Sequence, residues 1–158
     1  MNIILAYDRL DDIRQLFQEY TAMLVETDET VKACLAAQGY GDELAQAAEK
    51  YGLPDGRLYG VCSDDGRLVG CAAIHRLDEM CCELKRLYIR PAYRGRGLSR
   101  RLLEECIGAA KQIGYCHMRL DTLPFMTAAM GLYKAYGFYE IPPYYDNPIP
   151  AVFLQKDL

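Results

Sequence analysis

The stretch Glu83-Leu84-Lys85-Arg86-Leu87-Tyr88-Ile89-Arg90-Pro91-Ala92-Tyr93-Arg94-Gly95-Arg96-Gly97-Leu98-Ser99 decides how the whole sequence is read. Its first half belongs to a strand-like run from Met80 to Arg90, which Pro91 ends because proline has no N–H to give to a ladder. Arg94-Gly95-Arg96-Gly97 then leads into a helix whose apolar residues Leu98, Leu102, Leu103, Cys106, Ile107, Ala110 and Ile113 recur at the helical period, with Gly114 as its C-cap. The unit is strand, glycine-rich loop, helix. A loop in that position aims free backbone N–H groups and the positive end of the helix dipole at an anion, and glycines let a phosphate approach closely. The dinucleotide fingerprint GxGxxG fails because Arg100 stands at its third glycine, and no GxxxxGK[ST] is present. The loop is either a phosphate cradle of another kind or an ordinary glycine turn.

Upstream of that unit, strand periodicity runs from Arg57 to Cys62 and from Arg67 to Arg76, with turns at Ser63-Asp64-Asp65-Gly66 and Asp78-Glu79. Three successive hairpin-like strands imply an antiparallel sheet. Before them come an apolar start at Asn2 to Tyr7 and a helix with Ile13, Leu16, Phe17, Tyr20 and Leu24 on one face. A second helical region, Val31 to Tyr51, is interrupted at Gly39-Tyr40-Gly41, and Leu53-Pro54-Asp55-Gly56 closes it as a turn. Downstream come a strand Tyr115 to Leu123, a helix Phe125 to Tyr136 ending at Gly137, and strands Phe138 to Ile141 and Ala151 to Lys156. The pattern predicts a single α/β (α+β) domain over residues 1–158, with a mostly antiparallel mixed central sheet flanked by helices.

Composition agrees and removes several function classes. With 158 residues, 51% hydrophobic and 25% charged, the chain can bury a sizeable core and is neither disordered nor a repeat array. No apolar run is long enough for a membrane helix, and the opening MNIILAYDRLDD has no secretory features, so a cytoplasmic protein is expected. The seven cysteines include no CxxC pair, and Cys81 adjoins Cys82, so they read as reduced, buried thiols with no disulfide framework or metal site. His75 and His117 lie in apolar strand-like runs and read as structural.

The net charge is −4, which gives no reason to expect nucleic-acid binding. Yet Lys85, Arg86, Arg90, Arg94, Arg96, Arg100 and Arg101 crowd an acid-free stretch, leaving 11 basic against 22 acidic residues elsewhere. A compact polyphosphate ligand accounts for such a local stripe better than a long nucleic acid does. Snorkelling arginines on a solvated helix start would account for part of it.

The same residues resemble the GNAT superfamily of acetyl-CoA-dependent N-acetyltransferases. Glu83 to Ser99 looks like that family's central strand, pyrophosphate loop and helix start, with its (Arg or Gln)-x-x-Gly-x-(Gly or Ala) pattern falling on Arg94, Gly97 and Ser99. Leu132-Tyr133-Lys134-Ala135-Tyr136-Gly137-Phe138 is similar to its second signature, a Leu-Tyr followed by Gly-Phe. The resemblance implies acetyl-CoA as cosubstrate and no metal. It implies that backbone groups of Leu87, Tyr88 and Ile89 pair with the pantetheine arm like an added strand, and that Arg94, Gly95, Arg96, Gly97, Leu98 and Ser99 hold the pyrophosphate. Met126 stands where the family often has an Asn beside the pantetheine. Tyr133 matches the acid that protonates the departing thiolate, Glu83 resembles the water-relaying general base, and the Ile89 N–H is the oxyanion donor.

The implied reaction is direct transfer of acetyl to a primary amine of a small molecule or of a peptide. Thr27-Asp28-Glu29 and the segment Tyr139 to Asn147 occupy positions that commonly wall the acceptor cleft in this family, and their acids and phenols suit a cationic amine. The competing reading of that segment is a proline-stiffened exposed hairpin or a homodimer contact. A function of a different class, a catalytically weak acyl-CoA-binding module, is favoured by Met126, whereas Tyr133 and Glu83 together favour an enzyme.

Overall fold

A computed structural model describes all of residues 1–158. The elements follow in the order β1 (Asn2–Leu5), α1 (Leu10–Thr27), α2 (Val31–Ala37), α3 (Tyr40–Ala45), α4 (Ala47–Lys50), β2 (Arg57–Cys62), β3 (Leu68–Arg76) and β4 (Cys81–Ile89). A turn of 3₁₀ helix at Pro91–Tyr93 precedes α5 (Leu98–Ile113), β5 (His117–Thr122), α6 (Thr127–Ala135), β6 (Tyr139–Ile141) and β7 (Val152–Asp157). The apolar start at Asn2 is thus a full edge strand, paired antiparallel with β2 from Asn2 opposite Cys62 to Leu5 opposite Tyr59. The helical region from Val31 to Tyr51 splits into three short helices. Gly39 takes φ +69° between α2 and α3, and Gln46 leaves helical geometry between α3 and α4.

The seven strands form one sheet in the order β1-β2-β3-β4-β5-β7-β6, antiparallel except where β4 meets β5. Both faces are covered, so residues of β3 divide between two cores. Val69, Ala72 and Ile74 join Leu102, Leu103, Cys106 and Ala110 of α5. Leu68, Cys71 and Ala73 join Ile13, Leu16 and Phe17 of α1. Such fully buried leucines each cost about 2–5 kcal/mol when cut to Ala, so the two helices are fixed to the sheet at their centres.

The parallel junction is what makes a site. β4 and β5 pair only from Cys81 opposite His117 to Glu83 opposite Arg119, while β5 stays paired with β7 along its whole length. Beyond Glu83 the two strands part. The register of β4 against β3 also slips between Cys71 and Ala73, and Arg86 opposite that slip takes φ +59°, the only positive φ at a non-glycine residue. A bulge of this kind sharpens local twist, and a left-handed arginine costs about 1–2 kcal/mol. The surrounding contacts must hold it there.

Candidate active site

The gap between the splayed strands opens into a groove of about 670 Å³ that runs past Tyr20 and Met23 of α1, Leu87 to Ile89 of β4, the loop Tyr93 to Ser99, and Met126 to Ala129 at the start of α6. The edge of β4 is open here. Arg90 N–H donates to the Val69 carbonyl at 2.9 Å across the β3 ladder, so the alternation of an antiparallel pair turns the polar groups of Ile89 the other way, into the groove. The Ile89 carbonyl is taken by Arg94 Nε at 2.9 Å, and the Arg94 guanidinium lies 5.8 Å from the Tyr88 ring centroid. Its N–H stays free to act on a ligand.

At the outer end of the groove, Gly95 and Gly97 adopt φ +77° and +72°, and a Cβ built on either meets nothing within 4 Å. The space an added side chain would fill is open cradle. The first helical bond of α5 is Arg101 N–H to the Gly97 carbonyl at 3.1 Å, so the N–H groups of Leu98, Ser99 and Arg100 have no partner in the chain. Three unpaired donors at the positive end of a long helix can hold an anion, and the two glycines leave space for a diphosphate against them. The residues therefore fit the pyrophosphate of a CoA thioester.

The basic stripe divides once it is folded. Lys85 and Arg86 are buried and Arg90 grips Glu19 through two bonds of 2.9 and 2.8 Å, so these three cations serve the interior and α1. Arg94, Arg96 and Arg100 remain at the cradle, where Arg96 and Arg100 lie 5.3 and 6.0 Å from the Tyr93 and Tyr136 rings. The snorkelling alternative does not describe the buried pair either, since Lys85 and Arg86 point into the protein.

Behind the groove lies a smaller cavity of about 50 Å³, sharing Tyr20, Leu24, Leu87 and Met126 with it and lined by Gln38, Lys85, Arg86, Asp121 and Tyr133. Tyr133 is buried against Phe138, with ring centroids 5.6 Å apart, and its hydroxyl has no hydrogen-bond partner in the chain. Burial pushes that phenol well above its ordinary pKa, so it stays protonated and able to donate. Met126 Sδ accepts from Tyr20 at 3.9 Å and from Thr122 at 3.7 Å, placing a thioether where both cavities meet.

Glu83 is buried but lines neither cavity. Its Oε1 lies 2.8 Å from His75 Nε2 and its Oε2 accepts from the Tyr144 hydroxyl at 2.6 Å. Burial raises its pKa, but the His75 bond, the Lys85 charge and the Tyr144 bond outweigh that and hold it at about 2. The carboxylate is ionised and both oxygens are engaged.

The segment after β6 turns inward. Tyr144 and Tyr145 stack edge-on against Phe153 of β7, each with centroids 5.2 Å away, and reach back to Glu83 and to Asp121, the latter at 2.7 Å. Those two phenols are held against the sheet, while Tyr139, Glu140, Pro142, Pro143 and Asp146 of the same segment stay exposed. Glu29 also stays exposed and is tied to Lys32, while the half-buried Asp28 is tied to Thr30.

Sequence reasoning missed the network that holds Arg86 in its unusual geometry. Glu43 of α3 is buried, accepts from Arg86 Nε at 2.6 Å, Lys50 Nζ at 2.8 Å and the Tyr51 hydroxyl at 2.7 Å. Burial raises its pKa, and the Arg86 and Lys50 charges hold it down at about 2. Removing one partner of such a buried pair costs about 3–5 kcal/mol. The Gly-Asp-Glu of α3 carries no local signal of this role, because Arg86 lies 43 positions further on.

With this geometry in view, comparison places the protein. The chain matches the acetyltransferase (GNAT) family over residues 11–138 and belongs to it. It is 41% identical over 148 residues to an uncharacterized N-acetyltransferase of Schizosaccharomyces pombe, covering 93% of this chain and 86% of that one. Its fold is similar to a GNAT-family acetyltransferase from Staphylococcus aureus, with a TM-score of 0.80 at 21% identity over 99% of this chain and 98% of that one. A GNAT-family acetyltransferase from Elizabethkingia anophelis with acetyl-CoA bound is similar at a TM-score of 0.58 and 23% identity, over 72% of this chain and 82% of that one. The expected mixed sheet and family are both found. No helix is long and apolar enough to cross a membrane.

Proposed function

We propose that this acetyltransferase moves acetyl from acetyl-CoA to a primary amine by direct attack. The observation that carries the reading is a groove that holds the open β4 edge and the unpaired N–H groups after Gly97, and that shares Tyr20, Leu24, Leu87 and Met126 with the smaller cavity lined by the partnerless Tyr133. Acetyl-CoA supplies an activated thioester; the acetyl-CoA-bound neighbour of the same fold supports its use here. In this reading Leu98, Ser99 and Arg100 hold the pyrophosphate through their N–H groups, with Arg94, Gly95, Arg96 and Gly97 shaping the cradle. Leu87, Tyr88 and Ile89 align the pantetheine along β4, and the Ile89 N–H holds the charge that grows on the carbonyl oxygen. Tyr133 gives its proton to the departing sulfur.

Glu83 takes the amine proton through the Tyr144 hydroxyl, which already donates to it at 2.6 Å. A carboxylate held at about 2 is a weak base, so this transfer follows formation of the C–N bond, when the nitrogen has become strongly acidic.

Release of free thiol from acetyl-CoA across a panel of amines tests the activity. An amine-dependent rate that Tyr133→Phe abolishes is expected. The second reading, an acyl-CoA-binding module with little turnover, is favoured by the full engagement of both Glu83 oxygens. It gains the field if acetyl-CoA binds tightly and no amine accelerates thiol release.

A further inference from the structure

The side chain of Gln38, at the end of α2, occupies a position that a substrate could take over. Its amide oxygen accepts from Lys85 Nζ at 3.3 Å and Arg86 Nη2 at 3.5 Å, and its amide nitrogen donates to the Tyr145 hydroxyl at 2.9 Å and to Asp121 Oδ2 at 3.5 Å. One small planar group thus bridges two cations on one side and a carboxylate on the other. An α-amino acid offers the same two faces in one molecule, a carboxylate and an amine.

The cations are not equivalent. Arg86 is committed to Glu43 at 2.6 Å. Lys85, 8% exposed, has three donors and one hydrogen bond, the 3.3 Å contact to Gln38, with Glu83 Oε1 at 3.9 Å beside it. Burial pulls its pKa down and Glu83 holds it up. A buried ammonium with donors to spare on the wall of a cavity is costly until an anion meets it. The opposite wall is Asp121, which takes one bond from Tyr145 at 2.7 Å and keeps acceptor capacity for an amine. The cavity, about 50 Å³, has room for about four water-sized groups. That suits an amino and a carboxylate head, and it does not suit the chain of a peptide.

We propose that the acceptor is a free α-amino acid, whose carboxylate is held by Lys85 and whose amine enters beside Asp121, displacing the Gln38 amide that bridges them. The proposal rests on the acetyl-transfer reading above and names its acceptor class. Each α-amino acid should be compared with its own α-amide in thiol release from acetyl-CoA. At least one acid is expected to exceed its amide in kcat/KM by about tenfold or more, because the amide leaves Lys85 unpaired. In Lys85→Met that ratio should fall toward one, and in Lys85→Arg it should recover in part, while stabilisation by CoA shows that each variant is folded. Amides and peptide N-termini used as well as the free acids would overturn the proposal and leave acetyl transfer standing. If no amine supports thiol release, acetyl transfer itself fails, and calorimetric titration of amino acids into the CoA complex decides the acceptor site alone. Binding that Lys85→Met abolishes upholds it, and no binding to the wild-type complex refutes it.

Discussion

The outer and inner halves of the groove are built on different principles. The outer half is backbone: two glycines at positive φ, the first N–H groups of α5 and one free strand edge. The inner part is side chain: Lys85, Arg86, Asp121 and Gln38 line the small cavity and Glu43, Glu83, Tyr144 and Tyr145 stand behind them, drawn from five separated stretches and joined by contacts across up to 107 positions. A diphosphate has one geometry, which a short local motif can meet. Recognition of one amine among many needs an arrangement that no short motif can encode. The two halves should therefore fail differently when altered.

The largest expected effect falls where they meet. Tyr133→Phe keeps the ring against Phe138 and deletes only the hydroxyl, so turnover should fall by about two orders of magnitude or more with acetyl-CoA affinity nearly unchanged. Steady-state kinetics beside calorimetry checks this, and near wild-type turnover would reduce Tyr133 to a core aromatic.

Next comes a break confined to the outer half. Gly97→Val places a branched side chain in open cradle at φ +72°, costing about 1–2 kcal/mol in backbone strain. Acetyl-CoA binding should weaken by about tenfold or more, read as loss of ligand-induced thermal stabilisation. Undiminished stabilisation would place the phosphate site elsewhere.

Glu83→Gln probes the inner half through pH. If Glu83 takes the proton only after the C–N bond has formed, the amine attacks as the neutral form in wild type and variant alike, so Glu83→Gln should lower kcat by a factor that holds steady as pH rises. Wild-type kcat in the variant would make Glu83 a structural partner of His75. Stability carries its own sign. Both Glu83 and Glu43 sit at about 2, below their ordinary 4.5, so their contribution is complete above about pH 4.5 and is lost as pH falls toward 2. Acid unfolding followed by circular dichroism should show wild type losing stability across that window, with each Glu→Gln variant less stable at neutral pH and flatter below it.

The smallest effect separates the basic residues by role. Arg96→Gln and Arg100→Gln should each weaken CoA binding by only a few fold and reduce its salt dependence, because exposed cations act through screened water. Arg90→Gln should instead lower stability by breaking the paired bonds to Glu19 and leave CoA affinity alone. Equal effects of all three on affinity would mean that the whole basic stripe serves the phosphates.

Much of this was legible before any coordinates. The helical face of α5, the hairpin run from Arg57 to Arg90 and the loop Arg94 to Ser99 are local patterns, set by side-chain periodicity and by the backbone freedom of glycine. Those forces act within a few residues, so sequence alone determined the sheet-and-helix frame, the glycine-rich loop before α5 and the place of Tyr133 near the end of α6. What only tertiary structure decided are the parting of β4 from β5, the left-handed Arg86, and the division of one basic stripe into buried and cradle cations. Burial settles these, because a charge removed from water must find a partner wherever the fold brings one near. For Arg86 that partner is Glu43, and for Glu83 they are His75 and Tyr144; nothing in the residues adjacent to either names them.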